Sequence, residues 1–433
     1  MEATATIVTQ NVEDRPGSRW LRWGGTAASA VLDQGLFAGT NFLVNILLAR
    51  WLAPDTYGAF TIAYSTFLLL GTVHTAVLTA PMLTFGAGKY AGEFHAYLGL
   101  LLRGHVVLTT AMSLILAGAA AVSWKVGSSS LALALFGLAC AAPFILLLWL
   151  ARSAFYVGLR PQWAATGGAL YFVLSTAGMY VLYRTHHVSP LSVLLAMGGA
   201  SLLVGGWLVA MLRPQFRMAT DDVRAAVLSD HLRYAKWSSA ADTTGWLAGN
   251  LHYFVLSSTA GLAATAAMRV LDTMLLPYWH YQAALSRLLV PVLGARSHDS
   301  NGRLLPAVVR FSLLWGGQAL LAYILIGSFA GMVMPLLFGS TYARHSGLLA
   351  WYGLILIPEA IGTVAFSLFR AVVRTDLMFL YQCIMSASLL VGFLLVARQG
   401  LPGIISARIV VSYALLPFII VSARAVCTAR RVV

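Results

Sequence analysis

Charge is what this chain has least of. Of its 433 residues only 14 are acidic and 28 basic, so about a tenth are charged while 59% are hydrophobic. That balance excludes an ordinary soluble domain and a disordered chain alike. Cysteine is scarce as well. Cys140, Cys383 and Cys427 sit in apolar runs, too few and too scattered for a disulfide framework or a metal site. Also missing are a glycine-rich loop carrying a Walker lysine, paired histidine or cysteine metal spacing, and a G-x-S-x-G elbow. Nucleotide hydrolysis, metal chemistry and serine hydrolysis therefore have no seat in the sequence, and neither a cofactor nor an enzyme activity is expected. Residues 1–24 are polar and arginine-containing, without an apolar core and a small-residue cleavage site, so no removable signal peptide is expected.

What fills the chain instead is membrane-length apolar runs. With mean hydropathy +0.80 and about 20 residues needed per crossing, the sequence predicts an all-α polytopic membrane protein with about twelve transmembrane helices. The spans fall at roughly 26–49, 58–82, 97–122, 131–156, 163–183 and 190–212, then roughly 237–258, 262–292, 304–335, 346–369, 376–397 and 401–422. Residues 213–236, RPQFRMATDDVRAAVLSDHLRYAK, are the most charged stretch and divide the chain into near-equal halves. They read as an amphipathic linker along the membrane surface. The expected layout is a cytoplasmic segment 1–25, a first lobe 26–212, the linker 213–236, a second lobe 237–422 and a cytoplasmic tail 423–433.

The net charge of +14 does not point to nucleic acid, because the basic residues are scattered between apolar runs. They are distributed by side. On the side of the termini lie twenty, among them Arg15, Arg19, Arg22, Lys89, Arg213, Arg233, Arg303, Arg374 and Arg430. The other side has five, Arg50, Lys125, Arg184, Arg344 and Arg398. The positive-inside rule then places both termini in the cytoplasm. The halves also echo each other. Asp33 is followed by Ala38-Gly39 and Asn41, and Asp242 by Ala248-Gly249 and Asn250. The second helix of each half carries a histidine and then a proline, His74/Pro81 and His280/Pro291. Two pseudo-symmetric six-helix lobes around a central cavity are a transporter architecture, with the substrate site near the midplane.

Candidate site residues are the polar groups inside these spans. On the first helix Asp33, Gln34, Thr40, Asn41 and Asn45 fall within an arc of about 140°. A carboxylate at that depth must face protein or water, since lipid exposure costs about 2.5–3.5 kcal/mol. On the eighth span Arg269, Thr273, His280 and Arg287 fall within about 40° of one another, with Pro277 between them. Such a cationic stripe suits a phosphate or pyrophosphate, because arginine offers a forked set of donors. The alternative is structural: Arg269 pairs with Asp272 three residues on, and Asp242, Glu359, Arg269 and Arg408 tie helices together. The histidines His74, His105, His252 and His280 read either as hydrogen-bonded helix contacts or as proton carriers.

The run LDQGLFAGTNFLVNILLARWLAPDTYGAF resembles the opening of polysaccharide repeat-unit flippases of the multidrug/oligosaccharidyl-lipid/polysaccharide (MOP) exporter superfamily. Ala151–Trp163, ARSAFYVGLRPQW, and Leu337–Tyr342, LFGSTY, are similar to that family too. The resemblance implies two six-helix lobes, alternating access, and export of an undecaprenyl-pyrophosphate-linked oligosaccharide across a bacterial inner membrane, from the cytoplasmic to the periplasmic leaflet. Its partners would be the lipid-linked oligosaccharide, the bilayer and polysaccharide polymerase or export machinery, with no nucleic acid. Arginines would hold the pyrophosphate, while Asp33, Gln34, Asn41, Asn45 and Asn250 contact sugar hydroxyls. The two extra helices of the lipid II branch are missing, which disfavours a peptidoglycan-precursor role. With no ATP site, an H+ or Na+ gradient is the energy source left open. A cation-coupled multidrug antiporter of the same superfamily and a membrane polysaccharide polymerase or ligase are the rival readings.

Overall fold

The computed structural model describes residues 32, 35–36, 38–216, 221–297 and 304–429. Asp33 and Gln34 lie outside the described residues, as do the whole of the segment 1–25 and the end of the tail. The protein is all-α, with no strand among the described residues. Its first lobe consists of α1 (38–51), α2 (Pro54–Gly86), α3 (Ala91–Lys125), α4 (Ser129–Val157), α5 (Pro161–Arg184) and α6 (Pro190–Leu212). The second lobe consists of α7 (Asp221–Thr259), α8 (Leu262–Ser297), α9 (Leu304–Phe338), α10 (Ser346–Ala371), α11 (Thr375–Val396) and α12 (Gly400–Ala429).

Local chemistry sets many of the boundaries. Proline opens α2, α5 and α6, where its missing N–H costs nothing. Ser189 caps α6 by accepting the backbone N–H of Ser192 at 3.1 Å. In α2 the ladder widens into a π-helical turn over Thr75–Thr79. One carbonyl there, Val77 O, is taken up by His231 Nδ1 at 2.7 Å, so the irregular backbone is satisfied inside the protein, as a membrane requires.

Among the described residues, eight stretches are long and apolar enough to cross a membrane, the last of them covering both α11 and α12. The helices α7 and α8 do not qualify. They are the polar helices of the bundle, and polarity is affordable only where a helix faces protein or a wet cavity. Apolar side chains such as Val107, Leu114, Leu203, Leu313 and Leu395 stand exposed on the outside of the bundle, as lipid-facing positions do. The result is a multi-pass membrane protein.

Because lipid is as apolar as leucine, close backbone approach drives packing here. Gly198 of α6 lies against Ala141 of α4 so tightly that a Cβ would meet it at 2.9 Å. Between the lobes, a Cβ on Gly58 of α2 would sit 2.0 Å from the carbonyl oxygen of Leu262, the first residue of α8. That contact lies on the side of the bundle bearing the short hairpins. Arg50 Nη1 donates to Leu336 O at 3.1 Å on the same side. One buried apolar cluster crosses the divide there, joining Val44, Leu48 and Phe60 to Leu271, Leu275 and Ile404.

The linker expectation needs correction. Residues 221–236 do not form a separate surface element, because α7 runs unbroken from Asp221 to Thr259. The amphipathic character seen in the sequence is real but is spent on the first lobe. Val227 packs among Leu78, Met82, Tyr97 and Leu98, His231 Nε2 meets the Tyr97 hydroxyl at 2.6 Å, and Asp230 accepts from Lys89 at 2.6 Å and Tyr90 at 2.7 Å. One helix thus starts on the first lobe and ends inside the second.

Candidate functional site

The site grows from polar residues that helix periodicity alone aims inward at one level of the second lobe. Arg269 and Asp272 of α8, Asn250 and Tyr253 of α7, Glu359 of α10 and Arg408 of α12 line a cavity of about 380 Å³. Burial of so many charges in a bilayer is tolerable only if they pair or face water. Asp272 is paired. Its Oδ2 accepts from the Tyr253 hydroxyl at 2.6 Å and His252 Nε2 at 3.0 Å, and its Oδ1 from the Tyr352 hydroxyl at 2.6 Å. Arg408 Nη1 stands 3.5 Å from the same carboxylate.

Arg269 does not pair with Asp272. Its Nε donates to Asn45 Oδ1 at 2.8 Å, across the lobe boundary, and Asn45 also accepts from the Tyr57 hydroxyl at 3.1 Å. The guanidinium carbon lies 5.1 Å from the Tyr64 ring centroid and 6.0 Å from that of Tyr253, a cation–π setting. The alternative i, i+3 ion pair fails because Asp272 is turned toward α7, α10 and α12, whereas Arg269 reaches toward α1 and α2. Between them they form a continuous chain of polar contacts, from Tyr57 and Asn45 through Arg269 and Tyr253 to Asp272 and Arg408.

The rest of the expected stripe disperses. Thr273 is buried and donates back to Arg269 O at 2.7 Å, but His280 and Arg287 are exposed and line neither cavity. The reason is the changing surroundings of a 36-residue helix. The half before Pro277 is wrapped by α1, α2, α7 and α12. The half beyond it packs on α9 and α10, through Leu289 and Leu293, so one helical angle meets different neighbours along its length.

Other expected residues separate into two groups. Asn250 lines the second-lobe cavity and its amide donates to Trp246 O at 3.1 Å. Glu359 lines it too, with no side-chain hydrogen bond among the described residues. Asn41 is half-buried, and its carbonyl accepts from Asn45 Nδ2 at 2.7 Å. Asp242 lies apart, in a second cavity between the lobes. Of the histidines, His74 and His105 bond to each other at 2.9 Å inside the first lobe, and His252 holds Asp272. The tyrosines 57, 64, 253 and 352 were not singled out in the sequence, nor was Gln382. Their positions on apolar stretches carry no distinguishing signal. Asp272 was noticed only as a neighbour of Arg269.

No known family model matches the chain, and no curated protein matches it. Solved structures do. A MATE family multidrug resistance transporter of the MOP superfamily, in an inward-facing conformation, aligns with TM-score 0.75 over 93% of this chain and 99% of its own, at 14% identity. An outward-facing MATE transporter of the same superfamily aligns at 0.64 over 93% and 96%, at 15% identity. The lipid II flippase MurJ, in an inward closed conformation, aligns at 0.64 over 92% and 87%, at 13% identity. The chain therefore has the two-lobed, roughly twelve-helix fold of these MOP superfamily proteins.

Proposed function

We propose that this protein is an inner-membrane flippase that moves a pyrophosphate-linked polysaccharide unit from the cytoplasmic to the periplasmic leaflet by alternating access. The observation that carries the reading is the pair of arginines with uncommitted donors that line the second-lobe cavity. Asp272 is saturated by Tyr253, Tyr352, His252 and Arg408. The arginines are not. Arg408 Nε is buried with no partner among the described residues, and Arg269 uses Nε and Nη1 but leaves Nη2 without a hydrogen bond there. Free guanidinium donors in a low-dielectric cavity suit a pyrophosphate, while the polyprenyl chain stays in lipid. Closure on the hairpin side and a cavity between the lobes suit the inward-open half of the cycle, given cytoplasmic termini, and the inward-facing neighbour has the higher TM-score of the two MATE conformers.

In this reading an H+ or Na+ gradient drives export, and Glu359 and Asp242 are the cavity-lining carboxylates without an ion-pair partner among the described residues. Those same two carboxylates favour the second reading, a cation-coupled multidrug antiporter, because unpaired acids attract organic cations. Deleting the gene separates the two. A flippase leaves lipid-linked oligosaccharide accumulating in the cytoplasmic leaflet, read by leaflet-resolved labelling of the sugar. An antiporter leaves that pool unchanged and raises sensitivity to cationic dyes.

A further inference from the structure

A second cavity, of about 480 Å³, lies between the lobes, within the range of about 300–1,000 Å³ common to small-molecule sites. Its walls differ in kind from the arginine pocket. The first lobe contributes Trp149 and Thr72, and the second contributes Asp242, Gly245, Trp246 and Gln382. The only charge among these six is negative.

Both indoles are held in place before any ligand arrives. Trp246 Nε1 donates to Ser65 O across the lobe boundary at 3.0 Å, and its ring meets Phe254 edge-on at 5.7 Å. Trp149 meets Phe67 edge-on at 5.3 Å and lies over Gly71, where a Cβ would come within 2.7 Å of the ring. Asp242 accepts one bond, from Ser238 Oγ at 3.1 Å to Oδ2, and Oδ1 has none among the described residues. Gln382 likewise makes no side-chain hydrogen bond there. Fixed aromatic faces with an uncommitted carboxylate and amide are the chemistry that recognises a sugar. The rings cover its C–H face, and the polar groups take its hydroxyls. A phosphate is disfavoured by Asp242.

The two cavities share Gly245 and Gln382 as lining residues. A Cβ on Gly245 would come 3.3 Å from Gln382 Nε2, so the wall the two cavities have in common is thin and closely packed. We propose that the inter-lobe cavity is the glycan subsite of the flippase, with Trp149 and Trp246 as stacking platforms and Asp242 and Gln382 as hydroxyl ligands, adjoining at Gly245 the Arg269/Arg408 pocket that takes the pyrophosphate. This rests on the flippase reading and moves the sugar away from Asn45, which is already committed to Arg269 and Tyr57.

The test uses the full chain in nanodiscs and two separate probes. One is inorganic pyrophosphate. The other is the oligosaccharide released by mild acid from the lipid-linked pool of cells that make the protein. Calorimetry and tryptophan fluorescence follow each. Trp246→Leu and Asp242→Asn should each weaken oligosaccharide binding about tenfold or more, consistent with losing one contact of about 1.4 kcal/mol, and leave pyrophosphate binding unchanged. Trp246→Phe, which keeps a ring and serves if the leucine variant does not fold, should retain part of the affinity. Gln382→Ala, at the wall common to both cavities, should weaken the sugar as well. Wild-type affinity for the oligosaccharide in these variants overturns the subsite, as does pyrophosphate binding by the wild type without any oligosaccharide binding. Oligosaccharide binding without pyrophosphate binding supports the subsite and removes the pyrophosphate part of the transport reading. Tetraphenylphosphonium binding that is lost in Asp242→Asn, with no oligosaccharide binding, overturns both in favour of a cation site.

Discussion

At the scale of single residues, Asp272 and Arg269 have different jobs although only three positions separate them. Asp272 neutralises Arg408 inside the second lobe, and the two side chains are 14% and 12% exposed. Removing one member of a buried pair typically costs about 3–5 kcal/mol, because the other charge is left uncompensated. Asp272→Asn should therefore lower the amount of folded protein in the membrane, read by detergent-extracted monodisperse yield and thermal unfolding. The double change Asp272→Asn/Arg408→Gln should recover much of that yield without recovering transport. Arg269→Ala instead removes forked donors and should reduce export about tenfold to more than a hundredfold, from a loss of about 1.5–3 kcal/mol per charge-assisted contact. Arg269→Lys should rescue only part, since it keeps the charge and loses the fork. Full export by Arg269→Ala at normal protein level would remove this arginine from the pathway. Adding Asp272→Ala to Arg269→Ala should bring no rescue, because the two are not partners.

At the scale of elements, α2 and α7 set how the lobes meet. The Gly58 contact with Leu262 leaves no room for a methyl group, and the obstructing atoms are backbone. Gly58→Ala should push α8 off α2 on the hairpin side, and export should fall while the separate lobes stay folded. An unchanged rate of cross-linking by a bis-methanethiosulfonate reagent between cysteines placed at Arg50 and Leu336 would show that the contact yields without separating the lobes. At its other end α7 is docked by Asp230. Hydrogen bonds from Lys89 and then Tyr90 hold this carboxyl below the usual carboxylate range. The folded dock thus binds fewer protons than the free chain. Its stabilisation is present above the ordinary carboxylate pKa and is lost as pH falls through the depressed one. Hydrogen-exchange protection over residues 221–236, taken relative to the intrinsic amide rate at each pH, should fall in acid, and Asp230→Asn should flatten that dependence.

At the scale of the whole molecule, the positive-inside count predicts which face each loop meets. Cysteine at Ser129, an exposed hairpin position, should react with an impermeant thiol reagent from the periplasm, and cysteine at Gly92, exposed on the opposite face, should not. Labelling of Gly92→Cys from outside would reverse the orientation and with it the direction of export. A reducible bis-methanethiosulfonate cross-link between cysteines at positions 50 and 336 should arrest export by holding the hairpin side shut, and reduction should restore it.

Helical class, span number and the division into halves were legible in the sequence, because each depends on local composition: a membrane admits little besides apolar helices, and their lengths are fixed by its thickness. Intramembrane Arg269, Asn250, Glu359 and Arg408 could be marked for the same reason, as polar groups where lipid forbids them. Their partners could not be. Helix periodicity gives the direction of a side chain about its own axis and says nothing of what stands opposite, so the structural alternative can offer Arg269 only its sequence neighbour Asp272. The true contact, Asn45, is 224 residues away. His280 shares the angle of Arg269 and yet lies exposed, since α8 changes neighbours beyond Pro277. The charged stretch after α6 read as a surface linker because its polarity is local, but its continuity with α7 is a property of docking on the first lobe. The cavities themselves belong to the tertiary structure alone. Trp149 and Trp246 look like any membrane indoles in sequence, and only the meeting of two lobes puts them around one space.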